Sequence, residues 1–260
     1  MICDNLKICL QGLLAGRAMD LCYRLWNMGI AELSSSAQDY LKVIWDLQEW
    51  DKGPVQPTAV AERTGMKQST VSGALGRLVD AGLVTHRPYG KVELTQTGRR
   101  YAVTMVRRHR LLETFLVQVL GYGWDEVHEE ADSLEHAVSD KMVDRIDEYL
   151  GHPTADPHGD LIPSAEGDLP LLPTTTRPLS EVAAGLTVRV QRVSDEDPGM
   201  LRTLSNYHIG PGCLVQVKSR QAGDELPVSL SDTQSRSGSA PGDLLVLSQE
   251  QAALIQVSLI

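Results

Sequence analysis

The stretch HEEADSLEH, residues 128–136, sets histidine and carboxylate side chains at helical intervals. At about 100° per residue, His128, Asp132, Glu135 and His136 fall at roughly 0°, 40°, 340° and 80°, a single face. Imidazole nitrogens and carboxylate oxygens gathered on one face are the ligand types that hold a divalent cation. A solvated acidic helix would carry the same residues, so the stretch by itself leaves both readings open. Upstream, in RRHRLLETFL, His109 and Glu113 stand four residues apart, which lets both side chains reach one cation or each other.

Helices must position these groups, and the sequence supplies them. RRYAVTMVRRHRLLETFLVQVLG reads as one long helix in which Val103, Val106, Leu111, Leu112, Phe115, Leu116, Val119 and Leu120 make a broad apolar face. That face exceeds a single contact within a monomer and suits a dimer seam. Further upstream, SSSAQDYLKVIWDLQEW offers serine caps followed by Tyr40, Leu41, Ile44, Trp45 and Leu47 at helical spacing. TAVAERTGMKQSTVSGALGRLVDAGLV parses into two short helices joined at Thr64-Gly65-Met66, with Thr58 capping the first. Val60 and Ala61 supply its apolar contacts, and Val71, Leu75 and Leu78 those of the second helix. LVTHRPYGKVELTQTG follows as two short strands around Pro88-Tyr89-Gly90, with Arg87 and Lys91 at the tip. Helix, glycine turn, helix and basic hairpin together predict a winged helix that binds double-stranded DNA. Lys67, Gln68, Ser69, Thr70 and Ser72 lie at the N-terminal end of its second helix, where base edges and phosphates would be met. Any one of them is also an ordinary surface residue.

Charge distribution supports this division. The chain's net charge of −10 is unlike that of a nucleic-acid binder, but residues 35–110 carry twelve Lys and Arg against seven Asp and Glu, a net of +5. Residues 111–170 carry two against fifteen, a net of −13. A basic half favours phosphate and an acidic half favours cations. The cysteines, at 3, 9, 22 and 213, show no CxxC spacing, so neither a zinc finger nor a disulfide framework is expected, and a reducing cytoplasm is the simplest location. No run of eighteen apolar residues occurs, so no membrane contact is expected. Residues 1–34 lack a signal-peptide layout and contain Met19 and Met28; they are read as an extension, disordered or spurious.

In order, YLKVIWDL, helix-turn-helix, wing, RRHRLLETFL, DEVHEEADSLEHAVSD and DPHGDLIP resemble the diphtheria-toxin-repressor family of metal-dependent transcriptional regulators, the manganese-responsive branch above all. The resemblance is dense over residues 36–165 and looser over 180–260. It implies a primary metal site of Asp39, Asp132, Glu135 and His136, and an ancillary site of His109, Glu113 and His128. The stripe in HEEADSLEH would then serve two neighbouring sites. Where the iron-responsive branch has sulfur residues, this chain has Asp39 and Asp132. Three carboxylates and one imidazole form a hard donor set suited to Mn(II), with Fe(II) tolerated. Some manganese-responsive members carry another carboxylate three residues after the position of Asp39; here Lys42 stands there, which disfavours a close-coupled pair of ions.

The expected domains are a winged helix over 35–98, a helical metal-binding and dimerisation domain over 99–152, a proline-rich linker over 153–180 and an SH3-like β-barrel over 181–260. The fold class is mainly α with small β. From the last domain, Asp197 and then Glu196 are the candidates to lend a ligand to the ancillary site; acids decorating a helix N-terminus are the alternative. Facing helices with carboxylates and histidines also describe dinuclear enzymes, but the chain shows no nucleophile and an enzyme would leave the winged helix unused. The expectation is a homodimeric, metal-activated repressor without a small-molecule substrate.

Overall fold

A computed structural model describes residues 33–51, 53–86, 90–170, 176–219, 225–230 and 244–260. Arg87 and most of the N-terminal extension lie outside these residues. By contacts the chain divides into two units, residues 1–105 and 106–260.

The first unit opens with α1 (Ser35–Asp51), begun by Ser34, whose hydroxyl accepts from Ala37 N. Its inner face buries Tyr40, Leu41, Ile44 and Trp45. Helix α2 runs Pro57–Thr64 with Gln56 at the cap. The expected cap, Thr58, is inside the helix instead, because Pro57 takes the first turn, where its fixed φ fits and its missing N–H costs nothing. Gly65 ends α2 at φ 63° and donates back to Ala61 and Glu62 carbonyls. A side chain would strain that left-handed turn. The chain then enters α3 (Gln68–Asp80), which buries Val71, Ala74, Leu75 and Leu78. Strands β1 (Val84–His86) and β2 (Val92–Leu94) pair antiparallel, and Val55 bridges to Val92. This is the winged helix the sequence predicts.

Helix α4 (Gln96–Phe115) starts hard against β1. A Cβ at Gly98 would lie 1.8 Å from Leu83 O, and Thr95 Oγ1, which donates to Gly82 O at 2.8 Å, accepts from Gly98 N. α4 passes into a single π turn, Leu116–Leu120, and stops at Gly121. In the second unit α5 (Val127–Glu135) and α6 (Asp140–Leu150) complete a core of Leu111, Leu112, Leu116, Val127, Ala131, Val143, Ile146 and Ile162. The apolar face predicted as a dimer seam is therefore largely interior. Val103, Val106, Leu111, Leu112 and Leu116 are buried within the chain, while Val119 and Leu120 remain exposed.

The β part of the second unit comprises β3 (Thr176–Pro178), β4 (Thr187–Val193), β5 (Leu214–Val217), β6 (Leu226–Leu230), β7 (Leu245–Leu247) and β8 (Ile255–Leu259). Every pairing is antiparallel, in the order β3-β8-β4-β5-β6-β7. Pairing of β3 with β7, which would close a barrel, is not among those of the described residues. Alternate residues such as Val188, Val190, Val215 and Val217 point inward with Met200, Leu201 and Leu204 of α7 (Pro198–Asn206).

Gly98→Ala should lower the thermal unfolding midpoint sharply, by roughly 1–3 kcal/mol of stability or more, because the obstacle is backbone. An unchanged melting temperature would show that β1 and α4 separate easily.

Candidate metal centre

The second unit builds its polar centre from three places. α4 contributes His109 and Glu113; α5 contributes His128, Asp132 and Glu135, with His136 at its C-cap still in helical conformation. The loop between β4 and α7 contributes Asp195. Glu113 and Glu135 are almost wholly enclosed, each with 1% of its side chain exposed. A buried carboxylate requires compensating charge or donors, and histidines provide them.

His109 Nε2 lies 3.0 Å from Glu113 Oε1 and 3.2 Å from His128 Nδ1. His128 Nδ1 is in turn 3.3 Å from Glu113 Oε1 and 2.9 Å from Asp195 Oδ2. Ligand atoms of His109, Glu113, His128 and Asp195 all fall within 4.8 Å of one another. Two imidazoles and two carboxylates match the charge and donor preference of a divalent cation. On its other side, His109 Nδ1 meets Glu135 Oε2 at 2.6 Å and Asp132 Oδ1 at 3.2 Å, and Glu135 Oε1 is 3.8 Å from His136 Nε2. Sequence reasoning thus named six residues that the fold gathers in this unit: His109, Glu113, His128, Asp132, Glu135 and His136. Asp39, the seventh, is half-buried on α1 of the first unit.

Electrostatics follow from this packing. Burial works against the charged form of His128, yet hydrogen bonds to Asp195 and Glu113 outweigh it and raise the pKa to about 9. Burial would likewise push Glu113 and Asp195 up, but the charge of His109 and bonds from the histidines hold Glu113 well below the usual range, and His128 does the same for Asp195.

Asp195 replaces the two acids expected to reach this centre. Asp197 is the N-cap of α7, its Oδ1 accepting from Gly199 and Met200 N–H groups. The signal was present: an Asp before a Pro opening a helix is a capping pattern, which commits Asp197 to the backbone of α7 and not to this centre.

The sequence reading also missed the turn at residues 156–160, which lies in the segment taken as a linker. Asp156 Oδ1 accepts from His158 N and Asp160 N. Fully buried His158 donates from Nε2 to Trp124 O at 2.7 Å, stacks on the Trp124 ring, and turns Nδ1 toward Glu113 Oε2 at 3.8 Å without a hydrogen bond. Although burial opposes its charge, Glu113 and Asp156 raise its pKa to about 10. Gly159 is held so close to β4 that a Cβ would sit 2.1 Å from Gln191 O. Arg192 pairs with Asp160, and Arg110 with Leu161 O at 2.6 Å.

On the first unit, Lys67, Gln68, Ser69, Thr70 and Ser72 are all exposed at the start of α3, as is Lys91 beside the wing. A winged helix followed by a domain that converges imidazoles and carboxylates defines a metal-responsive DNA-binding protein.

Comparison with known proteins agrees. Residues 32–92 match the N-terminal DNA-binding domain of iron-dependent repressors, residues 95–164 their metal-binding and dimerisation domain, and residues 177–259 the FeoA domain. The iron-dependent repressor IdeR of Mycobacterium leprae is 30% identical over 203 residues, 74% of this chain and 88% of that protein. The diphtheria toxin repressor of Corynebacterium diphtheriae is 32% identical over 52% of this chain and 59% of its own. Among solved structures, a manganese-dependent transcriptional repressor in complex with manganese is 46% identical with a TM-score of 0.78, covering 86% of this chain and 100% of that one. The manganese regulator SloR is 29% identical with a TM-score of 0.68, covering 86% and 98%. The chain belongs to the iron-dependent, or diphtheria-toxin, repressor family. It is a metal-dependent transcriptional repressor with DNA-binding and dimerisation domains, and the family is not one of enzymes. No helix among the described residues is long and apolar enough to cross a membrane.

Because His128 holds a proton at neutral pH, a cation that takes its Nδ1 must expel it. Apparent affinity should therefore climb by up to about tenfold per pH unit from pH 7, levelling near pH 9. Calorimetry in buffers of different ionisation enthalpy measures the proton released; a flat affinity over that range would remove His128 from the ligand set.

Proposed function

We propose that this chain is a manganese(II)-activated repressor that binds a palindromic DNA operator as a homodimer in the cytoplasm. The observation that carries the metal is the donor chemistry: carboxylate oxygens and imidazole nitrogens at His109, Glu113, His128, Asp132, Glu135, His136 and Asp195. Hard donors of this kind favour Mn(II) over thiolate-seeking metals. The similarity to a repressor solved with manganese supports the same choice. Fe(II) is the second reading, favoured by the similarity to IdeR.

Asp132, Glu135 and His136, joined by Asp39, would hold the primary cation; His109, Glu113, His128 and Asp195 would hold the ancillary one. A bound cation supplies the positive charge that lets these carboxylates stay close together. Asp39 belongs to the DNA-binding part and its three partners to the dimerisation helices, so a shared site ties the two together. The tied state is the one whose paired α3 helices match successive major grooves. Metal and DNA then strengthen each other's binding by the same factor. Lys67, Gln68, Ser69, Thr70 and Ser72 read or grip the groove, while Arg87 and Lys91 hold phosphate from the wing.

Fluorescence anisotropy of upstream DNA, titrated with protein in Mn(II), anaerobic Fe(II), Zn(II) or chelator, tests this. Tight binding is expected with Mn(II) and not with chelator; binding indifferent to metal would refute the reading. Asp132→Ala should abolish the metal response with an unchanged circular dichroism spectrum. Lys67→Ala should weaken binding and reduce the salt slope by roughly 0.9, the loss of one phosphate contact. Full affinity and slope in that variant would mean that α3 is not the recognition helix.

A further inference from the structure

The turn that leads from α2 into α3 leaves a methionine in water. Met66 N donates to Ala61 O at 3.2 Å and Gly65 N to Glu62 O at 3.3 Å, the pair of bonds that ends a helix on a left-handed glycine. In that motif the residue after the glycine commonly folds its side chain back on the helix just ended. Met66 does so only in part, for it is 53% exposed. Among the described residues of the first unit, the other large apolar side chain so placed is Val79, 37% exposed near the far end of α3. A single exposed apolar residue is ordinary by itself. This one stands directly before Lys67, Gln68, Ser69 and Thr70, all exposed and all polar, at the end of α3 where base edges are met. Further along the exposed side of α3, Gly73 and Gly76 carry no side chain, and a Cβ built at Gly76 would meet nothing within 4 Å. Nothing bulky there holds the helix away from the floor of a groove.

We propose that Met66 is a specificity-determining residue that reads a thymine methyl group in each half of the operator. This rests on the reading of α3 as the recognition helix and adds a base to it. In the major groove the four base pairs differ by their donors and acceptors and by one apolar feature, the C5-methyl group of thymine. Lys67, Gln68 and Ser69 recognise polar groups. The thioether arm of Met66 is unbranched, polarisable and free to turn about three bonds, so it fits itself to a methyl group whose position the backbone does not dictate. Covering both removes apolar surface from water, at a place the fold itself leaves uncovered. The rival reader is Thr70, which is exposed and carries a methyl group of its own.

Deoxyuridine pairs as thymine does and lacks only the methyl group, so a cycle of protein and DNA changes isolates the contact. The full chain in saturating Mn(II) is titrated against the footprinted upstream duplex, with deoxyuridine set in place of each thymine in turn. At one symmetry-related pair of positions, deoxyuridine should weaken the unaltered protein by about fourfold per half-site, the worth of one buried methylene-sized group. Met66→Ala should lose that difference at those positions and keep the effects of deoxyuridine elsewhere, while Met66→Leu retains part of it. Equal losses by Met66→Ala on thymine and deoxyuridine duplexes at every position would overturn the inference, as would an affinity unchanged by Met66→Ala. Loss of the thymine preference in Thr70→Ser and not in Met66→Ala would overturn it in favour of Thr70. If Met66→Ala does not fold, Met66→Gln, of similar length but with a polar end, takes its place. Lys67→Ala separates the two levels of failure. Full affinity and salt slope in that variant sink the recognition-helix reading and this inference together; weakened binding there beside an additive Met66 cycle sinks this inference alone.

Discussion

Two carboxylates shut away from water, those of Glu113 and Glu135, govern the second unit. Desolvating a carboxylate costs several kcal/mol, so each must meet a donor or a positive charge from a neighbouring element. α4 and α5 supply His109 and His128, the β4–α7 loop closes over them with Asp195, and the turn at 156–160 places His158 beneath. The apolar core of Leu111, Leu112, Val127 and Ala131 brings α4 and α5 into contact. The polar residues one turn away then decide what that contact is for.

The same constraint explains why a repressor can be switched by an ion. Negative charge collected in a low-dielectric place needs compensating positive charge, which protonated histidines give in this structure and which a bound divalent cation would give in their stead. The winged helix is built differently, on an apolar core that includes Leu41, Ile44, Val71, Leu75 and Leu78. Sensing and reading are therefore done by parts with different physics, and the charge split along the sequence is its visible trace.

Much of this was legible because periodicity and turn chemistry are local. The glycine turn at Gly65, the two-stranded wing and the HEEADSLEH face follow from spacing alone. Thr58 misled because a cap residue was sought without allowing for Pro57 beside it. Asp197 misled for the converse reason, since its capping duty was visible in the Asp-Pro pair that opens α7. How the apolar face that begins in α4 divides between the core and exposed surface was not legible, because one sequence cannot say how many partners a face has; most of it is interior, and Val119 and Leu120 are exposed. His158 and Asp156 were hidden deeper, in a segment whose prolines and acids look like a linker. Only the approach of β4 shows that Gly159 permits a backbone contact and that the histidine before it is interior.

The turn around Gly159 bears on how such proteins lengthen and shorten. Its backbone lies against β4, Val193 N donates to His158 O at 2.8 Å, and Arg192 answers Asp160. The turn falls inside the stretch that matches the metal-binding and dimerisation domain, yet it packs on the β strands that follow. Asp156 and Asp160 both face Arg110 of α4, at 3.8 and 3.6 Å, while Asp160 also meets Arg192 of β4. Cutting the chain before the β module would therefore not be a clean excision, since it removes a cation that Asp160 meets and uncovers the backbone at Gly159.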